Sequence, residues 1–159
     1  MVTPFCTLID KGHLTGIIAN AQPVIFVPEA NKTTQFIKLC NQSNVPIIYL
    51  HNVTGFMVGA KTEAQGLIKA GAQLVNAVSN SKVLSLCSSK LTKVPHISVI
   101  CGASYGAGNY AMCGRSYEPR FLFSWPIGRC SVMGPDQLSG VMGTIAREAA
   151  ARYLLAESV

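Results

Sequence analysis

Nearly unbroken apolar runs alternate along this chain with segments whose apolar residues recur every three or four positions. The runs predict strands at 24–27, 47–50, 97–100, 121–124 and 130–133. Their lack of apolar–polar alternation is the mark of strands covered on both faces. The helical period predicts a helix at 33–41, with Phe36, Ile37 and Cys40 on one side. A second helix is predicted at 62–79, where Ala64, Leu67, Ile68, Gly71, Leu74, Val75 and Val78 make a core-facing stripe. A third starts near Asp136 and carries Leu138, Val141, Met142, Ile145, Ala149 and Tyr153, with Pro135 after Gly134 suiting a helix start. Strands interleaved with helices predict an α/β domain, and 159 residues suffice for one.

One unit is used twice. Val45-Pro46 opens the run IIYL and leads to a glycine-bearing turn at Gly55; Val94-Pro95 opens HISVI and leads to glycines 102, 106 and 108. Proline does least harm at the start of a strand, where its missing N–H is not needed by the ladder. The repetition predicts a superhelix of strand-turn-helix units.

Charge changes the picture in two ways. Only 13% of residues are charged against 49% hydrophobic, about half the usual share of roughly 25%, which excludes a disordered chain or a coiled coil. Such a surface suits coverage by a partner, since interface cores are depleted in charge. The net charge of +6 comes from scattered, never adjacent lysines and arginines. That is no stripe for nucleic acid. The 21 uncharged residues 94–114 include Pro95, His96, Asn109 and four glycines, which argues for a buried strand and loop rather than a membrane span. The six cysteines form no CxxC pair, and His13, His51 and His96 lie far apart. No metal site is expected, and the cysteines read as small core residues of a reducing compartment.

The segment CGASYGAGNYAMCG (101–114) is the most unusual. Glycines after a buried strand leave backbone N–H groups unpaired at a helix start, a place suited to negative charge. Two chemistries compete there. GAGNYA (106–111) fits the G-x-G-x-x-G/A dinucleotide fingerprint, but neither Glu118 nor Asp136 stands where the ribose-binding acid is required. The other is an oxyanion hole built from backbone amides. Hydrolysis by a Ser-His-acid triad is excluded for Ser104, because the last histidine, His96, lies upstream.

Four segments, in order, resemble the carboxyltransferase (β) subunit of biotin-dependent acyl-CoA carboxylases, in its C-terminal domain and in the methylcrotonoyl-CoA type. They are QFIKLCNQSNVPIIYLHNVTGFMVG (35–59), GLIKAGAQLVNAVSNSKV (66–83), VPHISVICGASYGAGNYAMCGR (94–115) and PRFLFSWPIGRCSVMGPDQLSGV (119–141). The resemblance implies a crotonase-like fold and transfer of a carboxyl group from carboxybiotin to an acyl-CoA such as 3-methylcrotonyl-CoA. It implies that the N–H groups of Ala107 and Gly108 stabilise charge on the ureido oxygen, with the biotin nitrogen as base. It places Gly55, Phe56, Gly106 and Tyr110 around biotin, Tyr110 standing where propionyl-type enzymes carry Asp. The implied partners are a biotin-carrying α subunit and further β subunits, and the implied location is the mitochondrial matrix in a eukaryote or the cytoplasm otherwise, although no targeting signal is visible.

The chain departs from the family at 83–93, which reads as an insertion, at Ile127 in place of Asn, and from Tyr153 onward. It is expected to be a truncated C-terminal domain at 1–159, holding the biotin-facing half of a site completed by an N-terminal domain. Two other readings stay open. One is a non-catalytic fragment that co-assembles with full-length subunits; the other is a biotin-independent crotonase-family enzyme such as a hydratase, for which Glu63 and Glu118 are the nearby carboxylates.

Overall fold

The computed structural model describes residues 5–10, 13–81 and 94–156, so the expected insertion at 83–93 lies outside the described residues. In chain order the elements are β1 (Phe5–Asp10), β2 (His13–Ala19), β3 (Val24–Ile25), α1 (Val27–Gln42), β4 (Ile47–Val53), β5 (Gly55–Phe56), α2 (Ala60–Ala64) and α3 (Leu67–Asn80). They continue with β6 (His96–Tyr105), α4 (Gly106–Ala111), β7 (Phe121–Ser124), β8 (Arg129–Ser131) and α5 (Pro135–Ala156).

Among the described residues, six strands form one sheet in the order β1-β2-β4-β6-β7, with β8 also on β6. Only β1–β2 is antiparallel; the β2–β4, β4–β6, β6–β7 and β6–β8 pairs are parallel. A small second sheet pairs β3 with β5 in parallel, Val24 opposite Gly55 and Ile25 opposite Phe56. The α/β expectation and the repeated unit are both realised, because β4 and β6 lie side by side and each runs into a glycine turn.

The core lies between the main sheet and the adjacent helices α1 and α3. Helix α1 buries Ala30, Ile37 and Cys40, and α3 buries Leu67, Leu74 and Val78, against Ile18, Ile47, Tyr49 and Val53 of the sheet. Full burial of Ile37, Ile47, Leu74 and Val78 stabilises the fold by about 1.5–3 kcal/mol each. Thr33 and Thr34 lie among these apolar groups, with their hydroxyls donating to the Glu29 and Ala30 carbonyls one turn back.

Several elements differ from expectation. The predicted strand at 24–27 stops at Ile25, because α1 begins at Val27 with Pro28 in its first turn. The predicted helix at 62–79 is broken at Gly66, whose φ of +89° is left-handed, into α2 and α3. Strand β6 continues through Gly102 to Tyr105, so half of the expected loop is strand. Helix α5 starts at Pro135, but Leu138, Val141, Met142 and Ile145 are all exposed. Cys40 and Cys113 are buried as expected, whereas Cys101 is half-buried and Cys130 exposed. No described helix is long and apolar enough to cross a membrane.

Candidate active site

The parallel register of β4 and β6 carries two turns to the same end of the sheet. Strand β6 ends at Tyr105 in extended conformation, and Gly106, at φ +49°, swings the chain into α4. No side chain caps this helix. The first N–H groups of a helix have no carbonyl one turn behind them, so the Ala107 and Gly108 amides carry no intrahelical bond. At the other end of the helix the N–H groups of Met112 and Cys113 donate to the carbonyls of Gly108 and Tyr110.

Glycine at 108 is required by close approach. A Cβ there would stand 2.7 Å from Val53 Cγ2 and 3.2 Å from the Cα of Gly55. Helix α4 therefore rests directly on the end of β4 and the start of β5. The exposed Ala107 faces outward from the same turn.

Beside Ala107 lies an apolar cavity of about 390 Å³. One wall is Phe56 of β5 with Met57 and Val58 directly after it; another is Leu67, Ile68, Gly71, Ala72 and Val75 of α3. Glu63 of α2 is the one carboxylate on its lining. The arrangement offers an apolar slot bounded by a turn whose backbone N–H groups are unengaged. It can hold a flat or branched apolar group and place a developing negative charge near amide donors.

The structure brings Phe56 and Ala107 together on this cavity, with Gly55 and Gly108 in contact just behind them. Gly106 supplies the bend. Tyr110 is not on the lining; its half-exposed ring packs edge-on against Tyr117 at 5.9 Å. Glu118 follows a single 3-10 turn at Arg115–Tyr117 and Asp136 opens α5, so neither serves the dinucleotide reading. Arg129 lies exposed on β8 and Ile127 in the loop before it. Among the described residues there is no group of three metal-ligating side chains.

Sequence reasoning missed the polar groups behind the turn. His51 of β4 is fully buried, its Nδ1 2.9 Å from Ser104 Oγ, and Asn109 of α4 donates through Nδ2 to the same hydroxyl at 2.8 Å. Burial pushes the His51 pKa down from 6.5 to about 4, and the Met112 carbonyl, acting in the opposite sense, offsets only part of that. Nε2 of His51 has no well-aligned hydrogen bond. A second buried cluster lies deeper in the sheet, where Ser81 Oγ is 2.7 Å from His96 Nε2 and Cys113 Sγ is 3.3 Å from His96 Nδ1. The signal for both was available: His51 alternates with the apolar Ile47, Tyr49 and Val53 on the inward face of β4, and His96, Ser98 and Ser104 share the inward face of β6 with Ile100.

Comparison with known proteins gives a consistent result. The carboxyl transferase domain family matches residues 1–157. A Mycobacterium tuberculosis protein named probable biotin-dependent acyl-coenzyme A carboxylase beta2 subunit is 52% identical over 139 residues, covering 87% of this chain and 24% of its own length. The mitochondrial methylcrotonoyl-CoA carboxylase beta chain of Arabidopsis thaliana is 47% identical over 147 residues, with 92% of this chain and 23% of its own covered. The crystal structure of the P. aeruginosa geranyl-CoA carboxylase beta subunit superposes with a TM-score of 0.80 at 44% identity, covering 92% of this chain and 26% of that one. The chain thus spans about a quarter of the length of the relatives it matches.

Proposed function

The chain belongs to the carboxyl transferase family and has its crotonase-like fold, and we propose that it forms the biotin-facing half of an acyl-CoA carboxylase active site. The observation that carries this reading is an apolar cavity lined by Ala107 at the uncapped start of α4, where the Ala107 and Gly108 amides have no intrahelical partner. The residues present fit biotin: apart from Glu63 the lining side chains are hydrocarbon or the Met57 thioether, Gly71 and Ala72 leave width, and the polar contact is supplied by backbone. When bound, carboxybiotin on a partner subunit supplies the carboxyl group for an acyl-CoA such as 3-methylcrotonyl-CoA.

The chain's own residues do three things. Phe56, Leu67 and Ile68 exclude water and clasp the apolar ring. Ala107 and Gly108 donate hydrogen bonds to the oxygen that gains negative charge, an effect that is strongest when the donors are fixed in advance and dry. Gly108 lets α4 sit close against Val53 and Gly55, and the left-handed φ of Gly106 swings the chain into α4. No acid or base side chain of this chain is required.

The partners are a biotin-carrying α subunit and further β subunits. The exposed apolar faces of β7 and α5 support an assembled state, with Phe121, Phe123 and Trp125 on one and Leu138, Met142 and Ile145 on the other. The proposed location is the mitochondrial matrix in a eukaryote and the cytoplasm otherwise.

The test is carboxyl exchange with carboxybiotin, run on the chain alone and with an added N-terminal domain from a family member. Exchange restored by that domain supports the half-site; no rescue counts against it. Glu63 gives the hydratase reading a specific foothold, because it lines the cavity. Glu63→Gln separates the two. Carboxyl exchange within about twofold of wild type fits the amide site, whereas a hydratase activity abolished by the same change fits acid–base catalysis. Co-purification with a biotinylated α subunit in the absence of any activity identifies a non-catalytic fragment.

A further inference from the structure

We propose that His51 is a positioning residue, which fixes the Tyr105–Gly108 turn through Ser104 and Asn109. The inference rests on the reading of the turn given above and adds the group that holds it in place.

Asn109 Nδ2 can only donate, so it donates to one lone pair of Ser104 Oγ. The Ser104 hydroxyl lies 2.9 Å from His51 Nδ1 and keeps one proton of its own to give. Given to that nitrogen, it makes Nδ1 the acceptor and leaves the ring proton of neutral His51 on Nε2, the tautomer that the positioning role requires. The Met112 carbonyl also acts on the ring. Met112 is the residue that closes α4 at its C-terminal end, and Asn109 is in its middle. One imidazole on β4 thus reaches α4 at two places, at Asn109 by way of Ser104 and at Met112 through its carbonyl.

Burial keeps this arrangement in a single state. His51 and Ser104 are both fully buried, with 0% of their surface exposed. No carboxylate or cation contacts this ring among the described hydrogen bonds, so the imidazole stays neutral and its tautomer is set by Ser104. The groups facing it are Ser104 of β6 and Asn109 and Met112 of the α4 segment, none of them charged. Hydrogen bonds linked in a chain strengthen one another in a low-dielectric interior. The turn needs such support because its own amides are uncapped. The aligned donors of an oxyanion site lose effect steeply when displaced by about 1 Å.

The experiment uses the 159-residue chain, with carboxyl exchange measured in the presence of the added N-terminal domain. In wild type, nitrogen-15 NMR of histidine-labelled protein is expected to show His51 as the Nε2–H tautomer at pH 7. Ser104→Ala, a small change chosen to preserve folding, is expected to speed hydrogen exchange about tenfold or more at the Met112 and Gly114 amides, which donate to the Gly108 and Asn109 carbonyls, while core amides of β4 are unchanged. It lowers kcat for carboxyl exchange by about tenfold with KM little altered. His51→Asn, whose Oδ1 can stand near the place of Nδ1, restores the slow amide exchange that His51→Phe loses. An Nδ1–H tautomer, or equal amide exchange in wild type, Ser104→Ala and His51→Phe, overturns the proposal. Should wild type show no carboxyl exchange at all, the functional reading fails while the tautomer and amide results still decide the role of His51.

Discussion

Substitution of Gly108 by alanine puts the whole geometry under test with one methyl group. Ordinary carbon–carbon contact lies near 3.5–4.0 Å, and the added Cβ would stand 2.7 Å from Val53 Cγ2 and 3.2 Å from both Val53 Cγ1 and Gly55 Cα. The contact is short by about an ångström. Val53 is fully buried and cannot rotate away without colliding elsewhere, and the Gly55 contact is backbone. The relief therefore falls on α4, which must lift from β4 and carry the Ala107 and Gly108 amides with it. Overpacking of this kind costs about 1–3 kcal/mol. Against it stands a helix-propensity gain for alanine over glycine of up to about 1 kcal/mol. A net loss of about 1–2 kcal/mol in urea-unfolding free energy is expected for Gly108→Ala.

The effect on transfer should exceed the effect on stability. A shift of about 1 Å in positioned groups costs on the order of a hundredfold in rate, so carboxyl exchange should fall well below what partial unfolding explains. The companion change Val53→Ala removes both methyls that crowd the site and costs about 2–3 kcal/mol by itself. In the double variant the two costs should overlap, leaving it at least about 1 kcal/mol more stable than the additive expectation. Additivity within about 0.3 kcal/mol, or unchanged exchange in Gly108→Ala, would refute the claim that α4 is seated on Val53 and Gly55 for its function.

Two further outcomes are expected. The folded-state pKa of His51 is lowered from 6.5 to about 4, so above pH 6.5 neither state is protonated and stability is independent of this group. As pH falls from 6.5 to about 4 only the unfolded chain takes up the proton, and stability drops by up to about 3 kcal/mol, then levels; urea midpoints at pH 7 and pH 4.5 should show that loss in wild type and not in His51→Asn. Val141→Glu with Ile145→Glu places two charges on a stripe that is about half exposed in the chain by itself, so sedimentation should show less self-association than wild type with an unchanged unfolding midpoint, and a lowered midpoint would instead mean that α5 packs within the chain.

What the sequence disclosed, and what it hid, follows from where each signal is written. Pro46 and Pro95 mark the starts of β4 and β6 because a ladder tolerates proline only at such places. The α3 stripe is plain because Leu67, Leu74 and Val78 recur at helical spacing and are buried. The start of α1 is obscured because Val24-Ile25-Phe26-Val27 has strand composition, and the helix signal of Pro28 and Glu29 is short. The antiparallel β1–β2 pair is hidden because Gly16 interrupts the β2 pattern, a glycine packed so closely by α1 that a Cβ there would stand 2.9 Å from Cys40 Sγ and 3.2 Å from the Phe36 ring. The α5 stripe is legible, yet its periodicity cannot say which molecule it faces.

The candidate site poses a different difficulty. Its proposed donors are amides, which every residue except proline possesses, so no letter at 107 or 108 announces them. They are visible only through what must be absent for them to be presented: side-chain volume at Gly108, a right-handed φ at Gly106 and a cap on α4. A glycine pattern therefore points to the place but cannot distinguish phosphate cradle from oxyanion hole. What distinguishes them here is the surroundings. The cavity beside Ala107 is walled by Phe56, Leu67, Ile68 and Val75 with no lysine or arginine on its lining, an environment that penalises a permanent dianion and favours a group that becomes charged only in passing. The same reasoning applies to His51: an imidazole held neutral behind the turn leaves the amide dipoles, and no side-chain charge, to meet that transient anion.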